Sequence, residues 1–350
     1  MTHRCALHCI VPPGLLLKLA QSESQEERDA ALRTLGLDQT FRQVRVEHAT
    51  RHAILRTAPR LLSAPVGKPH RTIYDQQESE AMQPGRLARS EGQAKVADPA
   101  VNEAYDGFGA TYKLFWEVFK RNSIDDVGMP IVGLVHFARQ YDNAFWDGEG
   151  HMFFGDGDGR LFTRLTKSLD VIGHELTHGV TQYTANLVYR DQSGALNESI
   201  SDVFGCLVAQ YAKGQTADKA SWLIGAEIVG PVLQPALRSL KTPGHANPHD
   251  DQPADMDHFV HTADDHGGVH TNSGIPNHAF YVVATTMGGK AWEKPGIIWY
   301  DAMRDPRVRP NSDFLTFAKA TLRSARQRFG PQSVEAGAVR AGWEAVKIAV

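Results

Sequence analysis

A chain of 350 residues with 42% hydrophobic and 22% charged residues has the balance of a globular protein, long enough for two lobes and a small extra module. Its net charge of −3 gives no footing for nucleic-acid binding, which needs a concentrated basic surface, and no apolar stretch is long enough to span a membrane. Three cysteines, Cys5, Cys9 and Cys206, are too few and too unevenly placed for a disulfide framework.

Residues 9–20 are apolar, but Pro12, Pro13, Gly14 and Lys18 break the run and the polar QSESQEERD follows. That is not the pattern of a secretory leader, so synthesis in the cytosol is expected. Ser24-x-x-Glu27 forms a capping box ahead of a helix that Gly36 is expected to stop; Phe41, Val44 and Val46 then read as a short strand. About 50 residues bury too little to stand alone, so residues 1–50 are read as a module leaning on the rest. A cysteine thiolate from Cys5 or Cys9 could in principle reach a metal, though idle thiols are commoner. Residues 51–70, with Pro59, Pro65 and Pro69, read as an exposed linker of the kind proteases cut.

Residues 71–165 carry strand-like runs at 131–137 and 152–154 and a helical run near 110–120. The alternation Gly155-Asp156-Gly157-Asp158-Gly159 lacks the EF-hand spacing and its distal Glu, so a tight turn is expected rather than a calcium loop.

Residues 168–183 contain His174-Glu175-Leu176-Thr177-His178. On a helix, His174 and His178 lie one turn apart on one face, where two imidazoles can hold one zinc ion and Glu175 can reach a water on it. Ile172, Leu176, Gly179, Val180 and Tyr183 fall at core-facing spacing. A surface helix with two solvated histidines is the bland alternative for the pentapeptide alone. After a loop expected at 185–195, residues 197–212 place Ile200, Val203, Phe204, Leu207 and Tyr211 on one face, with Glu198 and Asp202 together on the other. A helix pair could bring Glu198 beside the histidines, giving the His2Glu set of a catalytic zinc with one open position. Residues 241–271, rich in Asp and His, read as a solvated loop, and helices are expected at 277–287, 312–329 and 333–348.

Beyond these segments, the gap from His178 to Glu198 in GALNESISD, the run Asp265-His266-Gly267-Gly268-Val269-His270 before TNSGIPNHAFY, and Asn143-Ala144-Phe145-Trp146 occur in order. In them the chain resembles the thermolysin family of zinc metalloproteases over nearly all of residues 71–350. The resemblance implies an α+β, two-lobed fold: a β-rich lobe at 71–165, and a mainly helical lobe at 166–350 that includes the zinc helix.

It also implies a zinc endopeptidase acting on peptide and protein substrates. Zinc would be held by His174, His178 and Glu198, with Glu175 as general base. Tyr189 and His270 would stabilise the oxyanion, and Asp265 would orient His270. Asp202 and Asn197 would fix the histidine rings. Asn143, Ala144 and Arg238 would grip the substrate, and Phe162, Leu165, Val171, Ile224 and Leu237 would wall a pocket for a bulky hydrophobic residue after the scissile bond. A zinc-holding module that no longer cleaves, or an aminopeptidase-type zinc hydrolase, are the alternatives.

The chain departs from thermolysin where the paired calcium ions would sit. Ala209, Ser221, Leu223 and Ala226 offer almost no side-chain oxygen there, although Asp170 remains, so that double site is expected to be lost. The N-terminus resembles the protealysin-like branch, whose short propeptides carry a Pro-Pro-Leu-like stretch, here Val11-Pro12-Pro13-Gly14-Leu15 with Gly14 interposed. That implies an inhibitory propeptide over residues 1–50, activation by cleavage in the linker, and secretion by a leaderless route.

Overall fold

The computed structural model describes residues 8–52 and 65–350, with residues 8 and 42–52 described by their backbone alone. Most of the linker expected at 51–70 lies outside the described residues, as does Cys5. The N-terminal module comprises a two-residue strand β1 (His8–Cys9), helix α1 (Pro13–Leu19) and a long helix α2 (Gln25–His52). Pro13 stands at the start of α1, where the missing N–H costs nothing, and Leu15, Leu16 and Leu19 form its buried face.

Helix α2 corrects two expectations. It runs straight through Gly36, where a stop was expected, and through 41–46, where a strand was expected. An interior glycine costs a helix about 1 kcal/mol. Burying Phe41 returns about 1.5–3 kcal/mol, and its ring packs on Phe137, Tyr141 and Phe145 at 4.9, 5.9 and 5.8 Å. The buried stripe of α2 runs through Ala30, Ala31, Thr34, Asp38 and Phe41, at the three- and four-residue spacing a helix requires. The capping box is half formed: Ser24 Oγ accepts the Glu27 amide at 3.4 Å, while Glu27 turns to the Ser22 hydroxyl.

Strands β2 (Arg71–Asp75) and β3 (Arg86–Ser90) pair antiparallel and lead into helix α3 (Pro99–Phe119), whose first turn is capped by the Asp98 carboxylate accepting from Ala100 N–H. Strand β4 (Ile131–Val135) runs parallel to β2 and to β6 (His151–Phe154), and β5 (Ala144–Trp146) pairs antiparallel with β6 and with β1. The sheet order is β1-β5-β6-β4-β2-β3. The N-terminal module therefore contributes the outermost strand, covering the β5 edge that would otherwise be open.

The rest is mainly helical. Helix α4 (Leu169–Gln182) is followed by α5 (Asp191–Lys213), a small pair β7 (Leu223–Ile224) and β8 (Arg238–Ser239), then α6 (Asp265–Asn272), α7 (Gly274–Met287), α8 (Lys294–Arg304), α9 (Phe314–Phe329) and α10 (Val334–Ala345). The loop expected at 185–195 is shorter, because Ser193, Gly194 and Ala195 already belong to α5. Tyr183 sits at the C-cap of α4, 43% exposed, and not with the buried Ile172, Leu176 and Val180. Trp299 of α8 stacks on Trp343 of α10 at 6.0 Å, and the Trp343 indole N–H is satisfied by Thr321 Oγ1 at 2.8 Å. A β-bearing N-terminal lobe and a helical C-terminal lobe, α+β as expected, thus flank α4.

Candidate metal centre and active-site cleft

Two glycines bring the central helices into backbone contact. A Cβ added to Gly173 of α4 would stand 3.1 Å from the Cα of Gly205 on α5, and one on Gly205 would stand 3.1 Å from the backbone nitrogen of His174. That proximity lets side chains from both helices converge. Glu198 Oε2 lies 3.6 Å from His174 Nε2, Glu198 Oε1 lies 3.4 Å from His178 Nε2, and the two Nε2 atoms are 3.0 Å apart. Among the described residues, this trio is the cluster with metal-holding geometry, its three ligand atoms within 4.8 Å of one another and all three residues buried.

The other ring nitrogens are anchored. His174 Nδ1 is 2.9 Å from Asp202 Oδ1, and His178 Nδ1 is 2.8 Å from Asn197 Oδ1. With Nδ1–H facing these acceptors, each Nε2 turns its lone pair to the centre. Asp202 is gripped further by Arg238 Nε and a terminal nitrogen at 3.0 and 2.7 Å and by Asn277 Nδ2 at 2.8 Å. Despite burial, which favours the neutral acid, the adjacent Arg238 guanidinium holds the Asp202 carboxyl well below the usual range. Sequence reading did not single out Ser201, whose Oγ is 3.1 Å from His178 Nδ1, or Asn277.

The donor set fits a divalent cation. Glu198 Oε2 and both Glu175 oxygens are buried without a well-formed hydrogen bond, apart from a favourable approach of the Trp146 amide to Glu175. Buried carboxylate oxygens left in that state are costly unless a cation or water completes them, and two imidazoles with one carboxylate is a zinc set. Burial, with the Glu198 charge near by, pushes the Glu175 carboxyl well above its ordinary range.

Across from Glu198, the Tyr189 hydroxyl donates to Glu198 Oε1 and lies 3.1 Å from His270 Nε2. Asp265 Oδ1 is 2.7 Å from His270 Nδ1, and Asp265 Oδ2 accepts the His270 amide at 2.8 Å. Burial would lower the His270 pKa, but the Asp265 and Glu198 carboxylates outweigh it and hold the ring well above its ordinary value. The chain takes positive φ at Asp265, His266, Gly267 and Gly268 (49°, 54°, 91° and 72°), a fold-back that two non-glycine residues adopt at a cost.

Asn143, Ala144 and Arg238 each touch a backbone, that of the N-terminal module. Ile10 N–H donates to Ala144 O at 3.2 Å, Val11 N–H to Asn143 Oδ1 at 3.0 Å, and Arg238 donates to Ile10 O at 2.8 Å. His270 Nε2 faces the Cys9 carbonyl oxygen at 2.9 Å. The Cys9 thiol instead points to Val11 O at 3.7 Å, outside the three-donor set. Asp38 of α2 joins the same strand edge, its Oδ1 accepting the Tyr141 hydroxyl at 2.6 Å and its Oδ2 the Asn143 amide at 3.2 Å.

Phe162, Leu165, Val171, Ile224 and Leu237 are buried in one apolar cluster with Ile10 and Val11. At the positions read as a lost calcium pair, Asp170 turns to its own chain, with Ser168 Oγ at 2.8 Å and the Gly225 amide at 3.1 Å, and burial raises its pKa to about 6. In the Gly-Asp turn, Asp156 lies 2.7 Å from His136, and Asp158 accepts the Arg160 and Leu161 amides at 2.8 Å, so both carboxylates serve local structure.

Comparison with known proteins agrees with this geometry. Residues 35–182 match the thermolysin metallopeptidase catalytic domain, and residues 185–348 match the thermolysin metallopeptidase alpha-helical domain. The chain is 44% identical to an extracellular metalloprotease of Pectobacterium carotovorum subsp. carotovorum over 97% of its own length and 96% of that protein. It is 36% identical to an extracellular minor metalloprotease of Serratia marcescens, over 97% and 94% of the two chains. The solved precursor of protealysin, a metalloproteinase from Serratia proteamaculans, superposes with a TM-score of 0.87 at 45% identity, covering 98% of this chain and 100% of that one. This chain belongs to the thermolysin metallopeptidase family and is a zinc-dependent endopeptidase.

Proposed function

We propose that the chain is the latent precursor of an endopeptidase, with residues 1–50 as propeptide, 51–70 as a cleavable linker, and the catalytic lobes at 71–165 and 166–350. His174, His178 and Glu198 hold the zinc. When bound, zinc supplies a Lewis acid for the scissile carbonyl and lowers the pKa of its water to about 7. Glu175, buried in the cleft, takes a proton from the attacking water and delivers it to the leaving amine. Tyr189 and His270 donate to the developing oxyanion, and Asp265 keeps His270 charged and oriented. Asp202 and Asn197 fix the ligand imidazoles.

Asn143, the Ala144 backbone and Arg238 hold the substrate as a strand added to β5. Phe162, Leu165, Val171, Ile224 and Leu237 favour a bulky hydrophobic residue immediately after the scissile bond. The propeptide inhibits by occupying these same groups. Export to the medium belongs to this reading, since relatives are named as extracellular proteases. No calcium pair is needed at Asp170, whose partners are already local.

The convergence of His174, His178 and Glu198 beside a buried Glu175 with little to hydrogen-bond carries this reading. The decisive variant is Glu175→Gln, tested after removal of residues 1–70. Cleavage of an end-blocked, internally quenched peptide should fall by at least about a hundredfold, as expected for loss of a general base, while bound zinc stays stoichiometric. Undiminished turnover would overturn the assignment.

A further inference from the structure

The N-terminal module does more than cover the cleft, because its backbone carries the polarity and register of a substrate. Strand β1 is antiparallel to β5, with His8 opposite Trp146 and Cys9 opposite Phe145. The Cys9 carbonyl oxygen is 2.9 Å from His270 Nε2, and the Tyr189 hydroxyl stands 3.1 Å from that same nitrogen. One residue on, Ile10 N–H donates to Ala144 O and its carbonyl accepts from Arg238; the Val11 amide then donates to Asn143. His270, one of the two groups assigned to the oxyanion, thus meets the Cys9 carbonyl with Tyr189 beside it, and the groups assigned to gripping the far side of a scissile bond meet Ile10 and Val11. A slip of one residue would turn every side chain to the opposite face and break this correspondence. Ile10 is fully buried in the apolar cluster that contains Val171 and Leu237, as a residue following the scissile bond should be.

We propose that the Cys9–Ile10 peptide bond occupies the scissile position and that the zinc-loaded precursor slowly hydrolyses it, so that its own N-terminal segment is its first substrate. This rests on the roles given above to Glu175, Tyr189 and His270. Water is the sole co-reactant. Its hydroxyl adds to the Cys9 carbonyl carbon, the C–N bond breaks, and the proton taken up by Glu175 passes to the Ile10 nitrogen; the acid proton left on Cys9 then moves to the new amine, giving a carboxylate on Cys9 and an ammonium on Ile10. The cut does not open the cleft. Ile10, Val11, Leu15, Leu16 and Leu19 remain buried, and Asp38 still holds Tyr141 and Asn143, so the new N-terminus stays seated as a retained product.

The test starts from metal-free precursor with an intact linker. Zinc is added at neutral pH and samples are read by intact mass under denaturing conditions. A species starting at Ile10 should accumulate, at a rate unchanged over a hundredfold range of protein concentration, and should be absent with chelator and in Glu175→Gln. Independently of turnover, amide exchange on the Glu175→Gln precursor should show Ile10 and Val11 protected. An uncut chain, a cut at another bond, a rate proportional to concentration, or unprotected Ile10 and Val11 amides would overturn the proposal, provided the same preparation cleaves an end-blocked peptide once residues 1–70 are removed. If that processed enzyme is inert, the protease reading itself falls and this inference falls with it.

Discussion

On the proposed function, Asp38 is the polar anchor of the latent state, and Asp38→Ala measures its strength. Its carboxylate, 1% exposed, accepts the Tyr141 hydroxyl at 2.6 Å and the Asn143 side-chain amide at 3.2 Å, and both donors are fully buried. Removing it strands two buried donors, and hydrogen bonds to a charged acceptor contribute about 1.5–3 kcal/mol each. Part of that gain is already offset by the desolvation of the carboxylate, so a net loss of about 2–3 kcal/mol is the reasonable figure. At about 1.4 kcal/mol per tenfold, the open fraction of the precursor should rise roughly 30- to 150-fold. The assay is residual cleavage of a short end-blocked peptide by precursor whose linker is shown intact by mass, scaled to the fully processed enzyme. The processed forms of variant and wild type should be indistinguishable, since Asp38 is absent from both. Unchanged residual activity in the variant precursor would refute the anchoring role.

Gly205→Ala would drive a methyl group into the Asp170 carbonyl and to 3.1 Å from the His174 nitrogen, forcing α4 and α5 apart. A loss of about 2–3 kcal/mol in chemical denaturation, together with less zinc retained per chain after dialysis, is expected; wild-type stability with full zinc would contradict it. Asp142→Asn should alter the pH dependence of precursor stability. Burial and the neighbouring Asp158 push the Asp142 pKa up to about 8, and its Oδ2 is buried without a partner. A carboxyl whose folded pKa is raised contributes stability below its unfolded value near 4 that is lost as pH rises through 8. The wild-type precursor should therefore lose more stability than the variant between pH 5 and pH 9, by a few kcal/mol at most, and parallel denaturation curves at the two pH values would exclude the effect.

The metal centre was legible because zinc chemistry imposes local spacing. His174 and His178 sit one turn apart on one helix, and Glu198 lies one turn from Asp202, the partner of His174, on the next. Helix α2 was misread for the opposite reason. Its buried stripe includes Thr34 and Asp38, residues that pattern analysis assigns to solvent, and they are buried only because Tyr141, Asn143 and the Asp142 amide stand across from them. Ser201 and Asn277 were missed because a lone polar residue on a buried helix has no local signature; their partners, His178 and Asp202, are distant in sequence. The sheet order, with a strand from the first ten residues at its edge, is a long-range pairing that two residues of sequence cannot announce.

If the chain is the latent precursor proposed above, Asn143 makes latency and specificity one property. Its side-chain oxygen accepts the Val11 amide while its nitrogen reaches Asp38, so both faces of one buried amide are committed to the module. Arg238 is likewise shared, between Asp202, which orients His174, and the Ile10 carbonyl. On the proposed function, each group that would hold a substrate after activation holds the N-terminal module before it. A substitution that tightens substrate binding through Asn143 or Arg238 must also tighten the latent state, because both peptides present the same backbone donors and acceptors to the same atoms. Selectivity between substrate and propeptide therefore has to come from contacts the substrate lacks, and Asp38 on Tyr141, with Phe41 packed on Phe137 and Phe145, supplies them. In the proposed activation, cutting the linker leaves all these contacts intact and removes the tether that keeps their effective concentration high.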